Sequence, residues 1–144
     1  MGRCVFCRIV ERKADAVIVY EDDDTVAFMD KEPFNLGHTL VVTKKHYRYI
    51  TDMPEEAVCS LFKVVSRLAR AVSSATGADG LNIGQSNGEV ASQQVFHVHV
   101  HVIPRFKGDT EHGIFPPRKQ LSLRELKESG RRIQEALGLA RSRL

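Results

Sequence analysis

The sequence predicts a single domain of mixed α and β structure, and three observations carry that prediction. Five short strand-like runs, four of them rich in β-branched residues, are separated by Gly, Pro and acidic or polar turns. Two longer segments repeat apolar residues at three- and four-residue spacing, the mark of helices that need a partner surface. The chain has 144 residues, 42% hydrophobic and 27% charged, which suits one globular domain with tails.

Lys plus Arg exceed Asp plus Glu by three, 21 against 18. That excess is too small to drive nucleic-acid or membrane-surface binding by counterion release, but it is compatible with a small anionic ligand. No apolar run approaches the ~18 residues that span a bilayer. Met1-Gly2-Arg3-Cys4 lacks the apolar stretch of a signal peptide, so a cytoplasmic protein is expected.

Val17 to Tyr20 and Thr25 to Met29 flank the acidic run Glu21 to Asp24 and predict a hairpin, with the acids in a solvated turn. His38 to Thr43, after Pro33 and Gly37, is too short and too β-branched for a helix and predicts a central strand ended by Lys44-Lys45-His46. Thr51, Asp52, Pro54, Glu55 and Glu56 then read as a helix start with capping side chains, an early proline and an acidic first turn. Val58, Leu61, Phe62, Val65, Leu68, Ala69 and Val72 make its apolar stripe, and Gly77 ends it. Cys59 falls beside the stripe and is expected to be a small buried hydrophobe.

Leu81 to Gln85 predicts a fourth strand, Ser86 to Glu89 a polar loop, and Val95 to Ile103 a fifth strand closed by Pro104. Ser122-Leu123-Arg124-Glu125 is a capping box, and Leu123, Leu126, Ile133 and Leu137 predict a last helix interrupted by Gly130 and ending near Gly138. Arg131, Arg132, Arg141 and Arg143 read as a solvated face or tail, and there is no internal repeat.

His97-Val98-His99-Val100-His101-Val102-Ile103 alternates with a period of two, so a strand projects all three imidazoles from one face and the valines into the core. A metal site using all three rings is disfavoured, because the outer Cα atoms lie about 13 Å apart on a strand. Ligand nitrogens must approach a zinc to about 2.1 Å. The row suits an extended anion such as a phosphate: at cytosolic pH one ring can attack as a neutral nucleophile while a cationic neighbour donates, and a phosphoramidate on histidine results.

These residues resemble the histidine triad (HIT) nucleotide hydrolases and transferases, whose motif is His-φ-His-φ-His-φ-φ with φ hydrophobic. The similarity extends to Asp30-Lys31-Glu32-Pro33, Gly37 to Val42, Leu81 to Gly84, and Gln93 to Phe96, with Pro104-Arg105 after the triad; residues 4 to about 110 are covered. The resemblance implies an α+β fold: a HIT-like five-stranded antiparallel sheet with the long helix on one face, plus a C-terminal helix. It sets residues 1–110 as the HIT domain and 111–144 as an extension of the same single domain, and it implies a homodimer.

It further implies that His99 is the nucleophile at the α-phosphorus of a nucleoside 5′-phosphate derivative. His101 would bond the phosphate or leaving group, with His38 behind it. Asp30 would hold the ribose hydroxyls, and Ser86, Asn87, Gln93 and Gln94 would surround the phosphates. The leading expectation is a Hint-like nucleoside phosphoramidase acting on purine nucleotides, derivatives of AMP or GMP. Its rivals are a dinucleoside polyphosphate hydrolase, a nucleotide-binding interaction protein in which catalysis is incidental, and a metal-dependent hydrolase using adjacent histidines. Two departures concern the phosphate loop: Ser92 stands where the family commonly has glycine, and Ser86 where many members have asparagine.

Three cysteines are an odd count, and two form Cys4-x-x-Cys7, which by itself fits a metal, a redox pair or two packed thiols. The resemblance supplies two further ligands, His46 and His97, for a structural Cys₂His₂ zinc site pinning the N-terminus to the sheet. No catalytic metal is expected.

Overall fold

The computed structural model describes residues 4–111 and 113–142, with side chains placed as far as Gly138. Helix α1 (Val5–Val10) follows Cys4, whose sulfur caps it by accepting the Cys7 N–H. The predicted hairpin forms from β1 (Ile18–Glu21) and β2 (Thr25–Met29). Asp22 closes its turn, its Oδ1 accepting the N–H groups of Asp24 and Thr25 at 2.9 Å. Strand β3 (Thr39–Thr43) leads to α2 (Glu55–Thr76), then β4 (Gly80–Gly84), β5 (His99–Arg105) and α3 (Leu123–Ser142). The sheet is antiparallel throughout, in the order β1-β2-β3-β5-β4. The fold is therefore the expected α+β arrangement of five strands and helices.

Alternation sorts the sheet into two chemically different faces. Ala27, Met29, Val41, Val100 and Val102 join Leu61, Val65, Leu68 and Val72 of α2 and Ile133 of α3 in the larger core. Val26, Phe28, Leu40 and Val42 face the other way and pack with Phe6 and Ile9 of α1. His99 and His101 belong to that second face, opposite Val42 and Leu40 in the register. The long helix thus supports the strand from behind.

Several local expectations are corrected. Strand β5 starts at His99 rather than Val95, and it continues through Pro104 instead of closing there. Pairing with β3 stops at Val102, so the donor that proline lacks faces a side where no strand continues. Thr51 and Asp52 do not cap α2. They lie in a separate 3₁₀ turn (Ile50–Asp52), and Pro54 is the N-cap, with no side-chain bond.

The stripe of α2 is rotated toward Val64 and Ala71, leaving Phe62 36% exposed. Cys59 is exposed rather than buried, because at 100° per residue it lies about 160° around the helix from Leu61.

Helix α3 runs through both Gly130 and Gly138. Its N-terminal capping box forms as expected, Glu125 N–H donating to Ser122 Oγ at 3.1 Å and Ser122 N–H to Glu125 Oε1 at 3.2 Å. Leu123 stays exposed, whereas Leu126, Ile133 and Leu137 are buried. Arg131 and Arg132 lie on an exposed face, bonded to Glu128. The Arg141 side chain and Arg143 fall outside the described residues. No helix among those residues is long and apolar enough to cross a membrane.

Gly130 is the contact that lets α3 lie on β1. A Cβ there would come within 2.8 Å of Val17 Cγ1 and 3.3 Å of Val19 Cγ1. Alanine in a helix interior ordinarily gains about 1 kcal/mol over glycine, but overpacking costs about 1–3 kcal/mol. Gly130→Ala should therefore lower stability, by about 1 kcal/mol net, as read from the urea midpoint; a stabilised variant would show that α3 has room to move.

Candidate active site and metal centre

The structure gathers His99, His101 and His38 on one face; backbone groups fix the proton position on His99 and His38, and the His38 ring fixes it on His101. His99 Nδ1 lies 2.7 Å from His97 O, so that nitrogen carries the hydrogen and Nε2 keeps a lone pair. Phe34 N–H donates to His38 Nδ1 at 3.1 Å, which puts the His38 proton on Nε2. That Nε2 is 2.9 Å from His101 Nδ1 and donates to it, leaving His101 with its own proton on Nε2. The result is a ring with a free lone pair beside a ring with a spare N–H, their centroids 5.1 Å apart. Phe6 packs edge-on to His99 at 5.0 Å and forms one wall.

Burial keeps these rings neutral, so the donor beside His99 is a neutral N–H rather than the expected cation. It pushes His99 below the ordinary imidazole value, opposed by the His97 carbonyl and Asp30. His101 falls to about 3 through burial and the neighbouring His38 and His99 rings, and His38 to about 3 through burial and the Arg118 charge. Asp30 Oδ2 approaches His38 Nε2 at 3.5 Å, a contact with a neutral ring. The same carboxylate takes Arg118 at 3.1 Å. Asp30, His38 and His101 could also share an ion, but a cation there would have to displace both the ring-to-ring bond and the arginine.

The residues expected around a phosphate all lie in the connection between β4 and β5. Gln93 is buried and its amide is committed to the backbone: Oε1 accepts Gly88 N–H at 2.7 Å, and Nε2 donates to Arg48 O at 2.9 Å and Val95 O at 3.1 Å. Asn87 likewise ties its loop to the 3₁₀ turn, accepting Ile50 N–H at 2.7 Å. Ser86 contributes its carbonyl to Gln85. Gln94 is exposed and lines a small cleft with Cys4, Val5, Val95 and Phe96. Ser92 holds a left-handed φ of 73°, the conformation for which glycine is the natural occupant, so this serine carries local strain.

His97 turns to a separate cluster. Its Nε2 bonds Thr43 O at 2.7 Å, so the lone pair is on Nδ1, which lies 3.4 Å from Cys4 Sγ, 3.5 Å from Cys7 Sγ and 3.2 Å from His46 Nδ1. His46 Nδ1 is 3.2 Å from Cys7 Sγ. A tetrahedral ion with these ligands separates them by about 3.3–3.8 Å, given its bond lengths. The four residues fit a metal ion by donor type and spacing, as the resemblance implied. Burial and the adjacent Cys4 push the Cys7 thiol up to about 11, so binding must release a proton there.

Sequence reasoning missed Phe6, Phe34, Phe115 and Arg118. Phe34 stacks on His38 at 5.5 Å and on Phe115 at 4.8 Å, while Arg118 lies over Phe34 at 4.4 Å. Residues 115 and 118 sit in a proline-containing stretch without periodicity, and no local pattern reports that it returns to the site.

Because His38 and His101 protonate near 3 when folded and near 6.5 when unfolded, the unfolded chain binds more protons between those values. Stability should therefore be intact above pH 6.5 and fall on acidification below it, by up to about 1.4 kcal/mol per pH unit for each ring. Urea unfolding from pH 7 to 4.5 checks this: His101→Gln should flatten the slope by about one proton, and an unchanged slope would mean that ring is protonated in the fold.

A model of the HIT domain matches residues 11–108. The chain is 45% identical over 123 residues to an uncharacterised HIT-like protein of Methanocaldococcus jannaschii, covering 85% of this chain and 95% of that one. It is 31% identical to the adenosine 5′-monophosphoramidase of Schizosaccharomyces pombe, over 93% of this chain and 98% of the relative. A zinc-bound histidine triad family protein from Mycobacterium smegmatis superposes with a TM-score of 0.85 at 39% identity, covering 99% of both chains. With the triad, the sheet order and these likenesses in agreement, the chain belongs to the histidine triad (HIT) family.

Proposed function

We propose that this protein is a nucleotide hydrolase or transferase that cleaves nucleoside 5′-phosphate derivatives at the α-phosphorus through a nucleotidyl-His99 intermediate. The observation that carries the reading is the bond from His99 Nδ1 to His97 O, which leaves Nε2 as a neutral nucleophile next to the donor on His101. The His99 Nε2 lone pair forms a P–N bond as the bond from phosphorus to the leaving group breaks. The leaving group departs with that electron pair and takes its proton from solvent. The middle ring becomes cationic, and its Nδ1–H then bonds His97 O more strongly. His101 Nε2–H steadies the phosphoryl oxygen or the leaving group, and His38 holds the His101 tautomer. Water then attacks phosphorus and gives up a proton to solvent, the P–N bond returns its pair to Nε2, and the monophosphate is released.

In this reading Asp30 accepts the ribose hydroxyls. Gln94, Ser86 and the backbone of the Gln93 and Asn87 loops surround the phosphates, with the two committed amides shaping the loop. A purine monophosphate derivative is the substrate class, in line with the adenosine 5′-monophosphoramidase relative. Cys4, Cys7, His46 and His97 hold a structural zinc, which the soft ligand set, the ligand spacing and the zinc-bound relative support. Bound zinc would tie α1 to the segments that follow β3 and precede β5. Reduced thiol ligands go with a cytoplasmic setting. The exposed edge strand β4, with Ile83 44% exposed, and the exposed Phe62 of α2 supply the surface for a homodimer.

Incubation with nucleotide labelled at the α-phosphate, followed by rapid quenching, should trap acid-labile label on wild type but none on His99→Ala. Turnover of an adenosine 5′-phosphoramidate by that variant should fall by about a thousandfold or more. Label retained on His99→Ala would end the assignment. For the metal, the double variant Cys4→Ser with Cys7→Ser should lose bound zinc and melt at lower temperature. Near-stoichiometric zinc in that variant would refute the ligand set.

A further inference from the structure

The segment between β5 and α3 folds back over the turn joining β2 to β3, and the proposed chemistry does not by itself require it there. Lys119 donates its backbone N–H to Pro33 O at 2.8 Å and its ammonium to Phe34 O and Asn35 Oδ1. Phe115 stacks on Phe34 with an interplanar angle of 12°, and Arg105 lies 5.4 Å from the Phe115 ring centre. Arg118 uses one nitrogen, Nη1, for two contacts: Glu32 O at 2.6 Å and Asp30 Oδ2 at 3.1 Å. The other Asp30 oxygen accepts Glu32 N–H at 2.9 Å.

Both oxygens of a side chain only 11% exposed are thereby held, one from its own turn and one from the returning segment. Each oxygen still has a lone pair for another donor, as the vicinal diol of a ribose requires when both hydroxyls donate to one carboxylate. Without Arg118, Oδ2 is free to turn toward the His38 Nε2–H, 3.5 Å away, and share the proton that this ring donates to His101. A carboxylate that turns to that ring presents one oxygen fewer to a sugar.

We propose that Arg118 is a positioning residue for sugar recognition. It holds the Asp30 carboxylate in the orientation that accepts both hydroxyls of a ribose, so selectivity for ribonucleotides over 2′-deoxyribonucleotides is set by a segment outside residues 11–108, the part that matches the family. The inference rests on the Asp30 role given under Proposed function.

Titration calorimetry on the metal-loaded protein, with AMP and 2′-deoxy-AMP as probes, tests it. Wild type should prefer AMP by about tenfold or more, the scale of one charge-assisted hydrogen bond. Arg118→Met should lose about tenfold in AMP affinity while the deoxy ligand is unaffected, collapsing the ratio; Arg118→Lys should recover part of it. A merely structural role would weaken both ligands equally, so an unchanged ratio overturns the proposal, as does the absence of any preference in wild type. If Arg118→Met does not fold, as judged by its melting transition, Arg118→Lys decides: a reduced ratio supports the proposal and an unchanged one overturns it. Failure of wild type to bind AMP would instead bring down the proposed function itself.

Discussion

The site depends on buried imidazoles finding backbone acceptors and donors. An imidazole taken out of water must satisfy its N–H or bear the cost of an unpaired polar group, on the order of 1–3 kcal/mol. Here three of the four bonds that order the rings involve the main chain: His97 O under His99, Thr43 O under His97, and Phe34 N–H on His38. The fourth runs ring to ring, from His38 to His101. Each bond that makes burial tolerable also decides which nitrogen keeps its lone pair. Solvation and chemistry are settled by the same contacts.

The sheet keeps those contacts rigid by separating support from function across its two faces. Val100 and Val102 alternate with the histidines and are fully buried against α2. The strand therefore cannot slip by one residue without exchanging core for site. His97 links the faces of the problem in another way: its ring belongs to the cysteine cluster, while its carbonyl holds the middle histidine. Its side chain leaves the row because the strand begins only at His99, and the bend before it lets the first ring turn toward Cys4 and Cys7.

Close approach is the second constraint. Helix α3 reaches β1 because Gly130 presents no side chain to Val17 and Val19. The segment preceding that helix is then drawn across the turn after β2, where Phe115, Arg118 and Lys119 meet Phe34 and its neighbours. The C-terminal part of the chain is thus continuous with the site.

The amino-acid order alone determined the strand alternation, the acidic hairpin turn and the long helix ended by Gly77. These are local matters of propensity, period and spacing. It could also place His99 between two like rings, since that needs only the count of residues along a strand. The tertiary structure decided which nitrogens carry hydrogen, that Cys59 faces solvent, that Pro104 can lie within a strand, and that Arg118 reaches Asp30. Each of these turns on contacts between residues far apart in the chain, or on which side of an element a neighbour covers, and neither is written in any short stretch of sequence.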